Sequence, residues 1–235
     1  MQITHTEIWK LSIPMHPFSI ATGTMHYAQN IFIRVHTSSG MYGVGECSAF
    51  PMIVGETQAT CFEVAKDFAA FWKGKDNTSI KSAFDMALYD LAAKSAGQPL
   101  YAFLGGSVKK METDLTIGID APEKMAEQAV DYVRRGVRII KVKLGKNAVQ
   151  DIERIKMIRE KIGPEILLRI DANQGWSYDD AVTALTGMGH SNIQFCEQPM
   201  RAWNDGRLPA LKKISPIPIM ADESVFDAHD AERLI

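Results

Sequence analysis

Cysteine is scarce in this chain of 235 residues. Cys47, Cys61 and Cys196 are widely separated, odd in number and without a CxxC pair, so neither a disulfide framework nor zinc-like spacing is legible and free thiols in a reducing compartment are expected. An excess of positive charge is also lacking. Lys and Arg number 26 against 28 Asp and Glu, a net charge of -2, which argues against nucleic acid as a partner. No stretch reaches the roughly 18 uninterrupted apolar residues that a membrane span needs. The opening MQITHTEIWKLSIPMHPF has no basic head followed by a long apolar run, so a cytoplasmic protein is expected, with no membrane partner.

What remains is an ordinary globular composition, 46% hydrophobic and 23% charged, enough for one large domain or two smaller ones. The first part reads as short β segments, QITHTEIWKLSI and NIFIRVHTSSGMYGVGECS, with Ser38-Ser39-Gly40 as a hairpin turn. Helices are expected over 56–72 and 80–96, the second stopped by Gly97 and Pro99. Residues 1–110 therefore read as an α+β unit.

From Glu112 onward the pattern changes. The apolar runs TDLTIGI, IIKVKLG, ILLRIDAN, IQFCEQP and IPIMADES alternate with helical stretches, which predicts a parallel sheet covered by helices over 111–235. An open dinucleotide-binding sheet needs a Gly-rich turn after its first strand, and GIDAPEKM holds no GxGxxG. Polar residues instead gather where the strands end: Lys143 on the second, Asp171 and Asn173 on the third, Glu197 on the fourth, Asp222 and Glu223 on the fifth. Barrel enzymes place their chemistry at those ends, so the expected fold is α/β, a partial (β/α) TIM-like barrel of about five β-α units behind an α+β domain.

Asp171, Glu197 and Asp222 are separated by 26 and 25 residues, one β-α unit each. One acid after a strand reads equally well as a helix N-cap. Three on successive strands converge at a barrel mouth, repel one another unless a cation lies among them, and as hard oxygen ligands suit Mg²⁺. Lys141 and Lys143 stand two apart on one face of the neighbouring strand. Burying an unpaired ammonium costs several kcal/mol, whereas a lysine beside a cation and a second positive charge gives up its proton more readily and acts as a base.

KVKLG, RIDANQGW, FCEQP and IMADES, in that order and at these separations, resemble the enolase superfamily, in its muconate-lactonizing-enzyme subgroup and nearest there to dipeptide epimerases of the Ala-Glu type. The resemblance runs through almost the whole chain, with IKSAFDMALYDLAAKSAGQPLYAFLGG like the end of that family's capping domain. It implies an isomerase that takes the proton α to a carboxylate from a dipeptide, through an enediolate, with Mg²⁺ as cofactor. Asp171, Glu197 and Asp222 would be the metal ligands, with Asn173 and Glu223 behind them. Lys143 would be the acid/base on one face of the substrate and Lys141 its assistant, also contacting the substrate carboxylate. Thr116, at the end of the first barrel strand, would lie near the substrate.

By the same resemblance, capping-domain loops read the substrate's distal part. Here those are SIATGTMHYAQN, with Gly23 for mobility and His26 and Tyr27 as contacts, and ECSAFPMIVGET, with Phe50, Met52 and Ile53 as an apolar lining. Neither holds an arginine, which points to an apolar or cationic distal residue. Muconate cycloisomerisation, o-succinylbenzoate synthesis and N-acylamino-acid racemisation use the same metal and lysine and stay open, as does a fragment without catalysis. The family's second lysine, on a sixth strand, and its later DxD motif have no counterpart in these 235 residues. FWKGKDNTSIKSAF is shorter than usual between its two helices. An incomplete sequence is therefore expected and, were it complete, no full epimerisation. A homo-oligomer is compatible with such barrels.

Overall fold

The computed structural model describes residues 2–71 and 78–235. The expected helix end at Trp72, and the part of FWKGKDNTSIKSAF expected to be shortened, lie outside the described residues. The chain divides into two compact units, Met1–His16 with His26–Met111, and Pro17–Met25 with Glu112–Ile235.

Alternation of apolar and polar residues builds the first unit's sheet, in the order β1 (Ile3–Ile20), β2 (Gly23–Thr37), β3 (Tyr42–Ser48). β2 and β3 run antiparallel from Asn30 opposite Ser48 to His36 opposite Tyr42. Ile31, Ile33, Val35 and Cys47 turn to one face and are buried with Cys61, Ala65, Ile80, Phe84 and Leu91. The other face carries Glu7, Arg34 and His36, paired at the rim. The short helix α1 (Pro51–Val54) precedes α2 (Gln58–Phe71), α3 (Thr78–Ser95) and α4 (Leu100–Phe103). α3 lies directly on β3, and glycine at 43 and 45 is what admits it. A Cβ on Gly43 would stand 1.9 Å from the Ala87 carbonyl oxygen, and one on Gly45 1.8 Å from that of Ala83.

SIATGTMHYAQN is no loop. β1 runs to Ile20 and β2 starts at Gly23, so Gly23 is a strand residue beside a two-residue turn rather than a point of mobility, because alternation continues almost unbroken through the turn. Likewise ECSAFPMIVGET is the end of β3 followed by α1.

In the second unit, β4 (Leu115–Ile117), β5 (Ile139–Lys143), β6 (Leu167–Asp171), β7 (Ile193–Glu197) and β8 (Ile219–Met220) form one sheet in sequence order. All four pairings are parallel. Sequential order is what a (β/α) barrel gives, whereas a doubly wound sheet reverses direction partway. The helices α5 (Pro122–Arg134), α6 (Ala148–Ile162), α7 (Tyr178–Gly187), α8 (Leu208–Ile214) and α9 (Ala228–Leu234) alternate with these strands. Their starts follow local chemistry. Pro122 opens α5, and the side chains of Asn147, Ser177 and Asp227 accept the backbone N–H of Gln150, Asp180 and Asp230. Ile140, Val142, Leu168, Ile170 and Cys196 share one buried cluster with Ile155 and Ile158 of α6 and Ala184 and Leu185 of α7.

Two strand ends differ from the sequence reading. Thr116 is the middle of three-residue β4 rather than its end, and β8 stops at Met220, two residues before Asp222. Pro218, which lacks a donor, and the turn that begins directly after Met220 leave β8 little length for pairing.

Candidate active site

Parallel register sets three expected residues in one row. Lys143 stands opposite Asp171, and Asp171 opposite Glu197. Lys141 lies two residues deeper on the same face, level with Thr116 on one side and Arg169 on the other. The alternate residues, Ile140 and Val142, turn into the apolar cluster, so β5 presents its lysines to the opposite side of the sheet.

The two ammoniums are paired, which answers the cost of burying them. Lys143 Nζ donates to Asp171 Oδ2 at 2.6 Å and to Asn173 Oδ1 at 2.9 Å. Lys141 Nζ donates to both Glu197 oxygens at 2.8 and 2.7 Å and stands 3.0 Å from Asp171 Oδ2. Asp171 also accepts the Asn173 backbone N–H at 2.8 Å, a bond made possible by the turn at Asn173, whose φ is +42°.

The charges are uneven. Burial pushes Asp171 up, but Lys143 and then Lys141 outweigh it and hold the carboxyl below its usual range. Lys141 has the reverse balance: burial lowers it, while Glu197 and Asp171 outweigh that and keep it above the usual lysine value, a fixed ammonium. Glu197 is pushed up to about 7 by burial, despite Lys141, with the Asp171 charge adding to the rise. Glu223 is likewise raised by burial. It accepts from Asn173 Nδ2 at 3.2 Å through Oε1, while its other oxygen, Oε2, is buried with no hydrogen-bond partner among the described residues. Asp222, its neighbour, is exposed.

Crowded carboxylates, two raised by burial and one with an orphaned oxygen, are a donor set short of positive charge, and a hard divalent cation fits it. Among the described residues no three His, Cys, Asp or Glu side chains already stand as a ligand set; Lys141 instead bridges Asp171 and Glu197.

Of the remaining expected residues, Thr116 is half-buried, its carbonyl accepting from Tyr132 Oη at 3.2 Å. His26, Tyr27, Phe50 and Ile53 belong to the other unit. His26, Tyr27 and Ile53 are exposed there, and Phe50 is half-buried at the start of α1.

Three features were not read from sequence. Arg169 forms a deeper layer, pairing with Asp114 at 2.8 Å and Gln194 at 2.8 Å. Asp151, fully buried on α6, accepts from Gly145 N, Trp176 Nε1 and Arg154 and so ties the turns after β5 and β6 together. Gln198, inside FCEQP, is buried and uses its whole amide. Its position directly after a strand-end acid was the one available signal.

Sequential parallel strands with lysines and acids at their C-terminal ends define a β/α-barrel enzyme. Residues 3–105 match the mandelate racemase / muconate lactonizing enzyme N-terminal domain and residues 124–235 the enolase C-terminal domain-like family. The chain is 46% identical to the D-Ala-D/L-Ala epimerase of Cytophaga hutchinsonii, covering 100% of itself and 69% of that protein. It is 37% identical to the L-Ala-D/L-Glu epimerase of Clostridium acetobutylicum, covering 100% and 72%. Among solved structures it is similar to the Cytophaga hutchinsonii dipeptide epimerase complexed with Mg and D-Ala-L-Val, with a TM-score of 0.95 at 46% identity, covering 100% of this chain and 69% of that one. It is also similar to the Enterococcus faecalis dipeptide epimerase complexed with Mg and L-Leu-L-Tyr, at 0.94 and 36%, covering 100% and 71%. The chain belongs to the enolase superfamily. No helix among the described residues is long and apolar enough to cross a membrane.

Proposed function

We propose that this chain carries the proton-transfer site of an isomerase that epimerises dipeptides. The observation that carries the reading is the row Lys143, Asp171, Glu197 on three neighbouring strands, with a second lysine beneath it. The relatives named above act on dipeptides by name, and the site has the groups such a reaction needs.

Removing a proton next to a carboxylate places a second negative charge on that group, and stabilising it is the main task of the site. Mg²⁺ would be held by Asp171, Glu197 and Asp222, with Asn173 and Glu223 behind them, and would supply the divalent charge that offsets it. Lys141, a fixed ammonium, faces the substrate carboxylate. Lys143 takes the proton from the α-carbon and returns one to it, which accounts for one face. Inversion requires proton transfer on the other face as well. Thr116, in register with Lys141, lines the substrate's carboxylate end. His26, Tyr27, Phe50 and Ile53 are candidates for the distal residue. The absence of arginine from both segments points to an apolar or cationic distal residue, and the 46% identical relative, named for Ala-Ala, favours an apolar one.

The test is exchange at the α-carbon. Incubating the chain with Mg²⁺ and a dipeptide library in D₂O should add one mass unit to Ala-containing dipeptides with an apolar second residue, and Lys143→Ala should abolish that gain. Exchange that persists unchanged in the variant would remove Lys143 from the reaction.

A further inference from the structure

β8 is two residues long, yet Asp222 and Glu223, whose carboxylates the site uses, lie beyond its end. Among the described residues no strand ladder holds them. From the same structure we infer that Gln198 is a positioning residue that takes the ladder's place; this rests on the metal-assisted reading of the site above.

Gln198 follows Glu197 directly, is 1% exposed, and turns its backbone to a φ of +35°. Such a conformation is uncommon outside glycine and persists where the surroundings enforce it. Its side-chain Oε1 accepts the backbone N–H of Asp222 at 2.8 Å and of Ser224 at 3.2 Å. Its Nε2 donates to the Met200 carbonyl at 3.0 Å and to Ser224 Oγ at 2.8 Å. Two bonds accepted and two donated exhaust what an amide can make. The orientation is fixed too, since backbone N–H groups only donate and the Met200 carbonyl only accepts. Through its backbone Gln198 also donates to Met220 O at 2.9 Å and accepts from Gln174 N at 2.9 Å. One residue thus joins the turns after β6, β7 and β8, and it brackets Glu223 by holding the amides on both sides of it. Asn173 tethers the same glutamate from β6. The carboxylates past β8 keep their place relative to Asp171 and Glu197 because a buried amide grips the backbone that bears them.

Two variants separate the side chain from the strained backbone. Glycine adopts positive φ readily, so Gln198→Gly relieves the turn and deletes the grip, whereas Gln198→Glu keeps an acceptor for both N–H groups. Amide hydrogen exchange, read by NMR on the whole chain, should show Asp222 and Ser224 protected in the wild type, unprotected in Gln198→Gly and largely protected in Gln198→Glu. Mn²⁺, titrated as the probe metal, should bind about 10–100-fold more weakly to Gln198→Gly, the usual range for residues that orient ligands, and to Gln198→Glu with a smaller loss. Unchanged protection and unchanged Mn²⁺ affinity in Gln198→Gly would overturn the inference. Should that variant not fold, the wild type decides: free exchange at both amides overturns the grip and slow exchange supports it. A wild type that keeps both amides protected but binds no Mn²⁺ would refute the metal reading and leave the grip standing.

Discussion

Replacing Asp171 with asparagine keeps the shape of the side chain and removes the charge on which both lysines lean. Asp171 is 0% exposed, and the Lys143 and Lys141 side chains are 12% and 18% exposed. Two charge-assisted contacts are lost, each of about 1.5–3 kcal/mol when well formed. Lys141 keeps both oxygens of Glu197, and both amines reach some solvent, so the sum is discounted to about 3 kcal/mol. In a chain of this size that is a fall of roughly 6–12 °C in the unfolding midpoint. The assay is thermal unfolding with a chelator present, so that no divalent cation substitutes for the lysines. Asp171 is held below the usual carboxylate range. A carboxyl lowered on folding contributes stability that is complete above its unfolded value of about 3.9 and is lost as pH falls through the folded value. The gap between wild type and variant should therefore be present at neutral pH and close in acid. If Asp171→Asn melts at the same temperature as the wild type or higher in chelator, repulsion among the carboxylates dominates the site and the lysine pairing drawn here is wrong.

Gly45→Ala should cost about 2–3 kcal/mol by forcing α3 off β3, since the new Cβ would meet the Ala83 carbonyl at 1.8 Å; chemical denaturation reads this, and a neutral result would mean the helix is free to shift. Asp151→Ala should cost about 3–5 kcal/mol because Arg154 stays buried without its carboxylate, and Asp151→Leu with Arg154→Met should recover part of it, which a denaturation series of the three proteins would check. The thiols of Cys47 and Cys196 are pushed up by burial, and all three cysteines are buried. Iodoacetamide at neutral pH should therefore label none of them in the folded chain and all three in denaturant, by intact mass.

Much of the site was legible before any coordinates because its signals are local. A period of two puts Lys141 and Lys143 on one face of β5, and β-α alternation puts an acid at the end of each of the next two strands, with Asp222 two residues past the third. Those facts need only the chain's own spacing. What the sequence could not state is which amine meets which acid. That depends on register between strands tens of residues apart, and the fold answers it with Lys143 on Asp171 and Lys141 across Asp171 and Glu197. Tertiary structure likewise made SIATGTMHYAQN a hairpin, shortened β8, and left Asp222 and Glu223 to the side chain of Gln198. A buried amide whose four bonds reach Met200 and the turn after β8 leaves no period or spacing to read. The apolar alternation of β3 was visible, but the need for glycine at 43 and 45 was not, because it arises from the backbone of a helix some 40 residues further along the chain.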